Sequence, residues 1–244
     1  MIKALIFDFG GTLDTDGVHW SAKFWEAYQS YVKSLSLKSF NKAYVYSENL
    51  MSFSIKQNDT FLKTLIQQVT LQIQYLKETD LIDERIAAKL IIDVCDYCYK
   101  DVLNNIKKVI EVLEKLKDDF RLALVSNFYG NIETILKELS IHDFFKSVID
   151  SALVNVRKPD PAIFNIAIKA LGLQPFECVV IGDSYDRDIV PAKQLGCKTI
   201  WLKGKSWFEP SETSSADHVI KSLTELPRLL KIIVLKDVEN KNSH

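Results

Sequence analysis

The 244-residue sequence lacks a dominant charge: 31 Lys and Arg stand against 32 Asp and Glu, for a formal net charge of −1. No global field draws such a chain to nucleic acid or to an anionic membrane, so attraction for an anionic ligand has to be local. No apolar run is long enough to cross a bilayer. No charged start leads into a long apolar stretch either, so no signal peptide is expected and the cytoplasm is the expected compartment. Cysteine is scarce, four in all. Cys95 and Cys98 have the spacing of half a zinc site or a redox pair, but no second pair with ligand spacing completes it and the stretch reads as helix. Both are therefore expected as small apolar helix residues. There is no internal repeat and no low-complexity tract. A composition of 47% hydrophobic and 26% charged residues is that of a soluble globular protein, long enough for one sizeable core or a core plus a smaller insert.

Helical periodicity dominates from about residue 18 to 103, a stretch poor in glycine. Trp20, Phe24, Ala27, Tyr28, Tyr31 and Leu35 fall at helical spacing, as do Phe61, Leu65, Val69, Ile73 and Leu76. A third long helical segment runs from Ile82 to Leu103. Around this insert the pattern is strand, helix, strand. Strands are predicted at about 3–8, Arg121–Ser126, Lys146 to about Leu153, Cys178–Gly182, Lys198–Leu202 and His218–Ile220. Helices are predicted on the face from Ile106 to Leu116, at 131–140, from Pro161 to about Ala170 with Gly172 as the stop, and from about Asp186 to Leu195. That alternation predicts an α/β fold: a Rossmann-like doubly wound parallel sheet with an inserted all-helical cap. The expected division is 1–15 and 104–236 for the core, 16–103 for the cap, and a polar, frayed tail over 237–244.

Chemistry-bearing residues recur where the strands end. The buried-type run Ala4–Phe7 stops at Asp8, followed by Gly10, Gly11 and Thr12. This puts a carboxylate at the carboxyl end of a strand, where open α/β sheets bind ligands. A carboxylate there can act as a nucleophile, and the glycines let the backbone turn sharply beside an anion. Ser126 and Asn127 close the second predicted strand, where a hydroxyl and free backbone N–H groups can hold a phosphate oxygen. Lys158, ahead of Pro159, Asp160 and Pro161, offers a point charge for phosphate and for the attacking carboxylate. Asp183, Asp186 and Asp188 follow the fourth strand. Carboxylates near Asp8 suit a hard cation such as Mg²⁺, although Asp186 is expected to cap its helix. Arg157, Tyr185 and Arg187 are expected at the surface. Tyr129, His19 and Trp20 lie near the mouth of the site.

In this order, Asp8 to Leu13, Ser126-Asn127, Lys158-Pro159 and Gly182-Asp183 through Asp188 resemble the four motifs of the haloacid dehalogenase superfamily, whose members are mostly Mg²⁺-dependent phosphatases. The resemblance covers residues 1–15 and about 104–230, and the helical insert takes the position of a cap following the first motif. It implies that Asp8 is the nucleophile, that Ser126 and Asn127 bind phosphate, and that Lys158 balances charge and assists catalysis. It further implies that Asp8, the Gly10 carbonyl and Asp183 hold Mg²⁺, with Asp188 in support. The implied reaction is hydrolysis of a small phosphorylated metabolite through an aspartyl phosphate.

Gly10 departs from the pattern. Family members with Asp at that place use it to protonate the leaving alkoxide and then to activate water, and without a donor an alcohol leaves badly. Asp14, Asp16 and His19 are the candidates to replace it. The alternatives are a substrate with a good leaving group and a phosphate-ligand binding or regulatory protein of weak turnover. A further alternative is a C–halogen hydrolase; that branch is metal-independent and does not keep a Gly-Asp metal motif. Substrate identity and oligomeric state are not legible in the sequence.

Overall fold

Ala4–Phe7 form β1, a strand with no exposed residue. Its side chains alternate between two cores: Leu5 and Phe7 join one apolar cluster, Ala4 and Ile6 the other. A strand buried on both faces belongs in the middle of a parallel sheet, and β1 is there. The computed structural model describes residues 1–206 and 216–242, with the side chains of 236–242 left aside. The remaining strands are β2 (Arg121–Ser126), β3 (Phe145–Asp150), β4 (Cys178–Gly182), β5 (Lys198–Leu202) and β6 (His218–Ile220). All pairings are parallel and the order is β3-β2-β1-β4-β5-β6. The order reverses between β1 and β4, and a crevice opens at such a switch point beyond the carboxyl ends of the strands.

Four helices follow β1: α1 (Trp20–Tyr31), α2 (Leu37–Ser54), α3 (Phe61–Glu78) and α4 (Glu84–Leu116). The side chains of Ser36, Thr60 and Asp83 cap the last three. Two features differ from the sequence reading. Helix α2 was not expected; its buried stripe of Phe40, Ala43, Tyr44, Ser47 and Met51 contains polar groups that blur the periodicity. The predicted helices ending at Leu103 and beginning near Ile106 are one unbroken α4, so residues 103 and 104 lie inside it. Lys23 ties α1 to α4 through Asp101 at 2.5 Å. Cys95 and Cys98 are buried on α4, and burial pushes the Cys95 thiol up to about 12.

The later helices are α5 (Ile132–Glu138), α6 (Ser151–Val154), α7 (Ala162–Leu171), α8 (Val190–Leu195) and α9 (Leu226–Asn242). Helix α7 packs Ile163, Phe164, Ala167, Ile168 and Leu171 against one sheet face and stops at Gly172 in the left-handed conformation. Helix α9 buries Leu226, Leu230 and Ile233. It runs to Asn242, into the stretch expected to fray, while residues 243–244 lie outside the described ones. Among the described residues no helix is long and apolar enough to cross a membrane.

Candidate active site

β1 hands directly over to the site. The Asp8 N–H donates to the Ile181 carbonyl at 3.0 Å, so the carboxylate leaves the sheet at the switch point between β1 and β4. The chain then turns through residues 9–13. Within this turn the Thr12 hydroxyl lies 2.9 Å from Asp8 Oδ2 and 3.1 Å from Asp183 Oδ1, and accepts from the Asp183 N–H at 3.0 Å. Thr12 therefore joins the ends of the two central strands. A lone hydroxyl proton cannot serve both carboxylates fully.

Two glycines make this convergence sterically feasible. A Cβ on Gly11, whose φ is +94°, would lie 2.4 Å from Asp183 Oδ2. A Cβ on Gly182 would lie 2.3 Å from Asp188 Oδ2. Gly10 is different: its φ is −74°, and a Cβ there would meet only the Trp20 indole, at 3.8 Å.

Lys158 Nζ bridges Asp8 Oδ1 at 2.5 Å and Asp188 Oδ1 at 2.7 Å, with all three side chains buried. Asn127 secures the lysine from behind. Its Oδ1 accepts from the Lys158 N–H at 2.8 Å, and its Nδ2 donates to the Lys158 carbonyl at 2.9 Å. The Asn127 side chain thus holds the backbone of the catalytic-lysine candidate, and the expected part of Asn127 in phosphate binding rests on its backbone N–H. Ser126 is buried at the end of β2, and its hydroxyl bonds no described residue. Asp150, at the end of β3, orders the following loop by accepting from Gly130 N–H at 2.8 Å and Ala152 N–H at 2.9 Å.

Burial works against the Lys158 ammonium, yet Asp188 and Asp8 outweigh it and hold its pKa above the usual lysine value. Burial, together with the Asp8 and Asp188 charges, raises Asp183 well above an ordinary carboxylate. Burial also lifts Asp188 to about 6, against the pull of Lys158. Asp8, Asp183 and Asp188 each offer an oxygen within 4.8 Å of the others. Three carboxylates and one ammonium leave an excess of negative charge in a buried, all-oxygen donor set, which fits a hard divalent cation such as Mg²⁺. Asp183 Oδ2 receives no hydrogen bond from a described residue, whereas Asp188 is held by Lys158 and by the Ser184 N–H at 3.1 Å.

The three candidate replacements for an acid at position 10 are not equivalent. Asp16 is turned away: it accepts from the Ser222 hydroxyl at 2.8 Å and the Leu223 N–H at 2.7 Å, anchoring the segment before α9. Asp14 is fully buried beneath the turn, accepting from Trp20 Nε1 at 2.7 Å and Gly11 N–H at 2.8 Å. Burial raises it to about 7, against those hydrogen bonds. His19 caps α1: its Nδ1 accepts from the Ser21 N–H at 3.2 Å and lies 2.8 Å from the Ser21 hydroxyl. Burial and the Arg187 charge lower it to about 4, so the ring is neutral at physiological pH.

Thr12, Asp150 and the clamping role of Asn127 were missed by sequence reasoning. The available signal for Thr12 was a small hydroxyl in the turn after a strand-end Asp.

A nucleophile-type carboxylate, a bridging lysine and two further carboxylates at the switch point of a parallel sheet define a hydrolase-type site. The family model for haloacid dehalogenase-like hydrolases matches residues 2–196, and the chain belongs to that family. It is 39% identical over 46% of its length to glyceraldehyde 3-phosphate phosphatase of Pyrococcus furiosus, covering 46% of that protein. It is 32% identical over 51% of its length to human N-acylneuraminate-9-phosphatase, covering 51% of it. The chain thus spans about half the length of these curated relatives. Among solved structures, one described as a dehalogenase with intermediate complex superposes with a TM-score of 0.63 at 19% identity, over 93% of this chain and 96% of that one. At that identity the likeness is one of fold.

Proposed function

We propose that the protein is a Mg²⁺-dependent phosphatase that hydrolyses a small phosphorylated metabolite through an aspartyl phosphate. The observation that carries this reading is the convergence of Asp8, Asp183 and Asp188 around Lys158. Two of the similar proteins are named as phosphatases of phosphorylated carbohydrates, which supports the same substrate class. A halogen hydrolase has no comparable need for two more buried carboxylates beside the nucleophile.

In this reading Asp8 attacks phosphorus, forming the aspartyl P–O bond as the ester P–O bond breaks, and water then cleaves the acyl phosphate. Lys158 orients Asp8 and offsets charge on the transferring group. Ser126 supplies a hydroxyl for a phosphate oxygen. Asp8, Asp183 and the Gly10 carbonyl would hold Mg²⁺, with Asp188 in support; the ion would offset charge on the phosphoryl oxygens. The helical segment 16–103 acts as the cap that excludes water and selects the substrate over the core formed by 1–15 and 104–236. Asp14 is held by Trp20 and Asp16 by Ser222 and Leu223, and the neutral His19 ring can offer the leaving oxygen a hydrogen bond rather than an acid proton, so leaving-group protonation is the weak step of this reading.

Phosphate release with Mg²⁺ across sugar phosphates, nucleotides and acyl phosphates tests the proposal, with halide release from a 2-haloacid as the opposing assay. Chelator-resistant halide release without phosphate release would refute it. The second reading, a phosphate-ligand binder of weak turnover, draws on Gly10 and on the Trp20 indole beside it. Tight binding of phosphate esters without turnover would select it.

A further inference from the structure

Glu48 lies on α2 with a half-buried side chain, facing the carboxyl edge of the sheet. Three core residues locate it over the candidate active site. Tyr129 OH stands 3.4 Å from both Glu48 oxygens, and Tyr129 follows two residues after the asparagine that clamps Lys158. Burial raises the Glu48 carboxyl above the usual carboxylate value, and Arg187 and Arg157 are near enough to favour its anion in part against that. One precedes Lys158 in the chain and the other precedes Asp188, the residues joined at 2.7 Å in the site. The cap carboxylate is thus bracketed by neighbours of the catalytic cluster.

Its partners are neutral. Gln68 Nε2, from a buried side chain on α3, donates to Oε1, and the buried Tyr44 hydroxyl also bonds the carboxylate. The Tyr129 contact is long for a hydrogen bond. A carboxylate has about four acceptor positions, so Glu48 is oriented without being saturated. Among the described residues no cation lies within ion-pair distance of it, and no carboxylate lies within ion-pair distance of Arg157 or Arg187.

We propose that Glu48 reads the leaving group: its carboxylate accepts hydrogen bonds from the hydroxyls of a polyhydroxylated phosphate monoester whose phosphoryl group lies at Asp8. The role rests on the phosphatase reading above and narrows its substrate class. A ligand hydroxyl fits better than a ligand ammonium because Arg157 and Arg187 already place positive charge near the carboxylate on the core side. A second ammonium would enter among like charges, whereas a hydroxyl brings a donor without one. Gln68 and Tyr44 fix the acceptor's direction, and Tyr129 is a positioning residue.

Glycerol phosphate and n-propyl phosphate separate the contribution, since both are alkyl esters and only the first carries hydroxyls. A hydrogen bond to a charged group is worth about 1.5–3 kcal/mol, so in Glu48→Gln the ratio of kcat/KM for glycerol phosphate to that for propyl phosphate should fall about tenfold or more. The loss should lie in KM. Calorimetric binding of the two esters to Asp8→Asn, with and without Glu48→Gln, gives the same ratio without turnover. Tyr129→Phe should change that ratio less than Glu48→Gln does. Equal losses for both esters in Glu48→Gln would make the residue a structural latch and overturn the proposal. A kcat loss confined to poor leaving groups at unchanged KM would also overturn it, making Glu48 a proton donor. Preferential, Glu48-dependent binding of glycerol phosphate with no parent turnover would uphold the reader and reject the phosphatase reading instead.

Discussion

Trp20 donates from Nε1 to Asp14 Oδ2 at 2.7 Å while its indole stands 3.8 Å from the place a Cβ on Gly10 would take. One side chain therefore anchors the turn from below and lines the space left by the missing acid. That space is neither strained nor filled, because Gly10 has an ordinary φ of −74° and 3.8 Å is normal van der Waals contact.

The first prediction follows from that relationship. Gly10→Asp should fold, and if proton delivery limits the reaction it should raise alkyl phosphate turnover by about a hundredfold, the low end of general acid catalysis. Aryl and acyl phosphates, whose leaving groups need less help, should gain little. Single-turnover rates on an alkyl and an aryl ester check this. No gain on either in a folded variant would show that the proton is already supplied, and His19→Ala then tests the supplier; equal gains on both would show that the added carboxylate acts otherwise than on the leaving group.

The second prediction concerns Lys158, which holds Asp8 and Asp188 together inside the protein. Lys158→Met removes the shared cation and leaves two buried carboxylates facing each other, a loss of about 3–5 kcal/mol for a broken buried pair. The penalty should shrink as pH falls from 8 toward 6 and level off below that, because Asp188 titrates at about 6 beside Lys158 and, without that cation, takes up its proton at a higher pH. Urea melts of parent and variant at pH 5 and pH 8 measure it. A penalty independent of pH would mean that packing, not charge, is what Lys158 contributes. Turnover should fall by about a hundredfold or more with the loss of this electrostatic partner.

Much of this site was legible because its residues sit where apolar runs end. Asp8, Ser126 and Asp183 each terminate a strand, and Lys158 precedes a Pro-Asp-Pro helix start, so one-dimensional pattern and sheet topology together locate them. Convergence was not legible. Nothing in the linear pattern links Asn127 to Lys158, yet both ends of its amide go to that residue, 31 positions away. Asp16 looked equivalent to Asp14 until the segment before α9 claimed it. The unbroken α4 was read as two helices, while Asn105, beside the expected break, donates to the Leu13 carbonyl at 2.9 Å. A polar residue in mid-helix was there for a tertiary contact, not a stop.

The third prediction concerns the cation. Mg²⁺ at a hundred times its Kd should stabilise the parent by about 2.7 kcal/mol, roughly 5–10 °C in Tm for a chain of this size. Asp183→Asn should abolish most of that shift while leaving the apo protein folded. The shift should also weaken toward pH 5, since the raised pKa of Asp183 makes the cation compete with a proton. Differential scanning fluorimetry with Mg²⁺ and with chelator reads all three. An unchanged Mg²⁺ shift in Asp183→Asn would remove Asp183 from the ligand set.

The last prediction concerns Asp14, whose buried carboxyl is raised from 3.8 to about 7 chiefly by burial. A folded pKa above the unfolded one means that the native state holds the proton more tightly. Its contribution to stability is therefore greatest below about pH 4, falls as pH rises, and levels off above about pH 7. The steepest part of that fall is about 1.4 kcal/mol per pH unit. Asp14→Asn cannot ionise, so its stability should lack this slope and the parent-minus-variant difference should decline between pH 4 and 7. The variant also turns one oxygen acceptor into an amide donor facing Trp20 Nε1 or the Gly11 N–H, which costs about 1–3 kcal/mol at every pH. The two effects separate because only the first depends on pH. Chemical denaturation of both proteins in chelator, at half-unit steps from pH 4 to 8, resolves them. A flat difference across that range would show that the hydrogen bonds from Trp20, Gly11 and the Thr15 hydroxyl outweigh the burial of Asp14 and that the carboxylate stays ionised throughout.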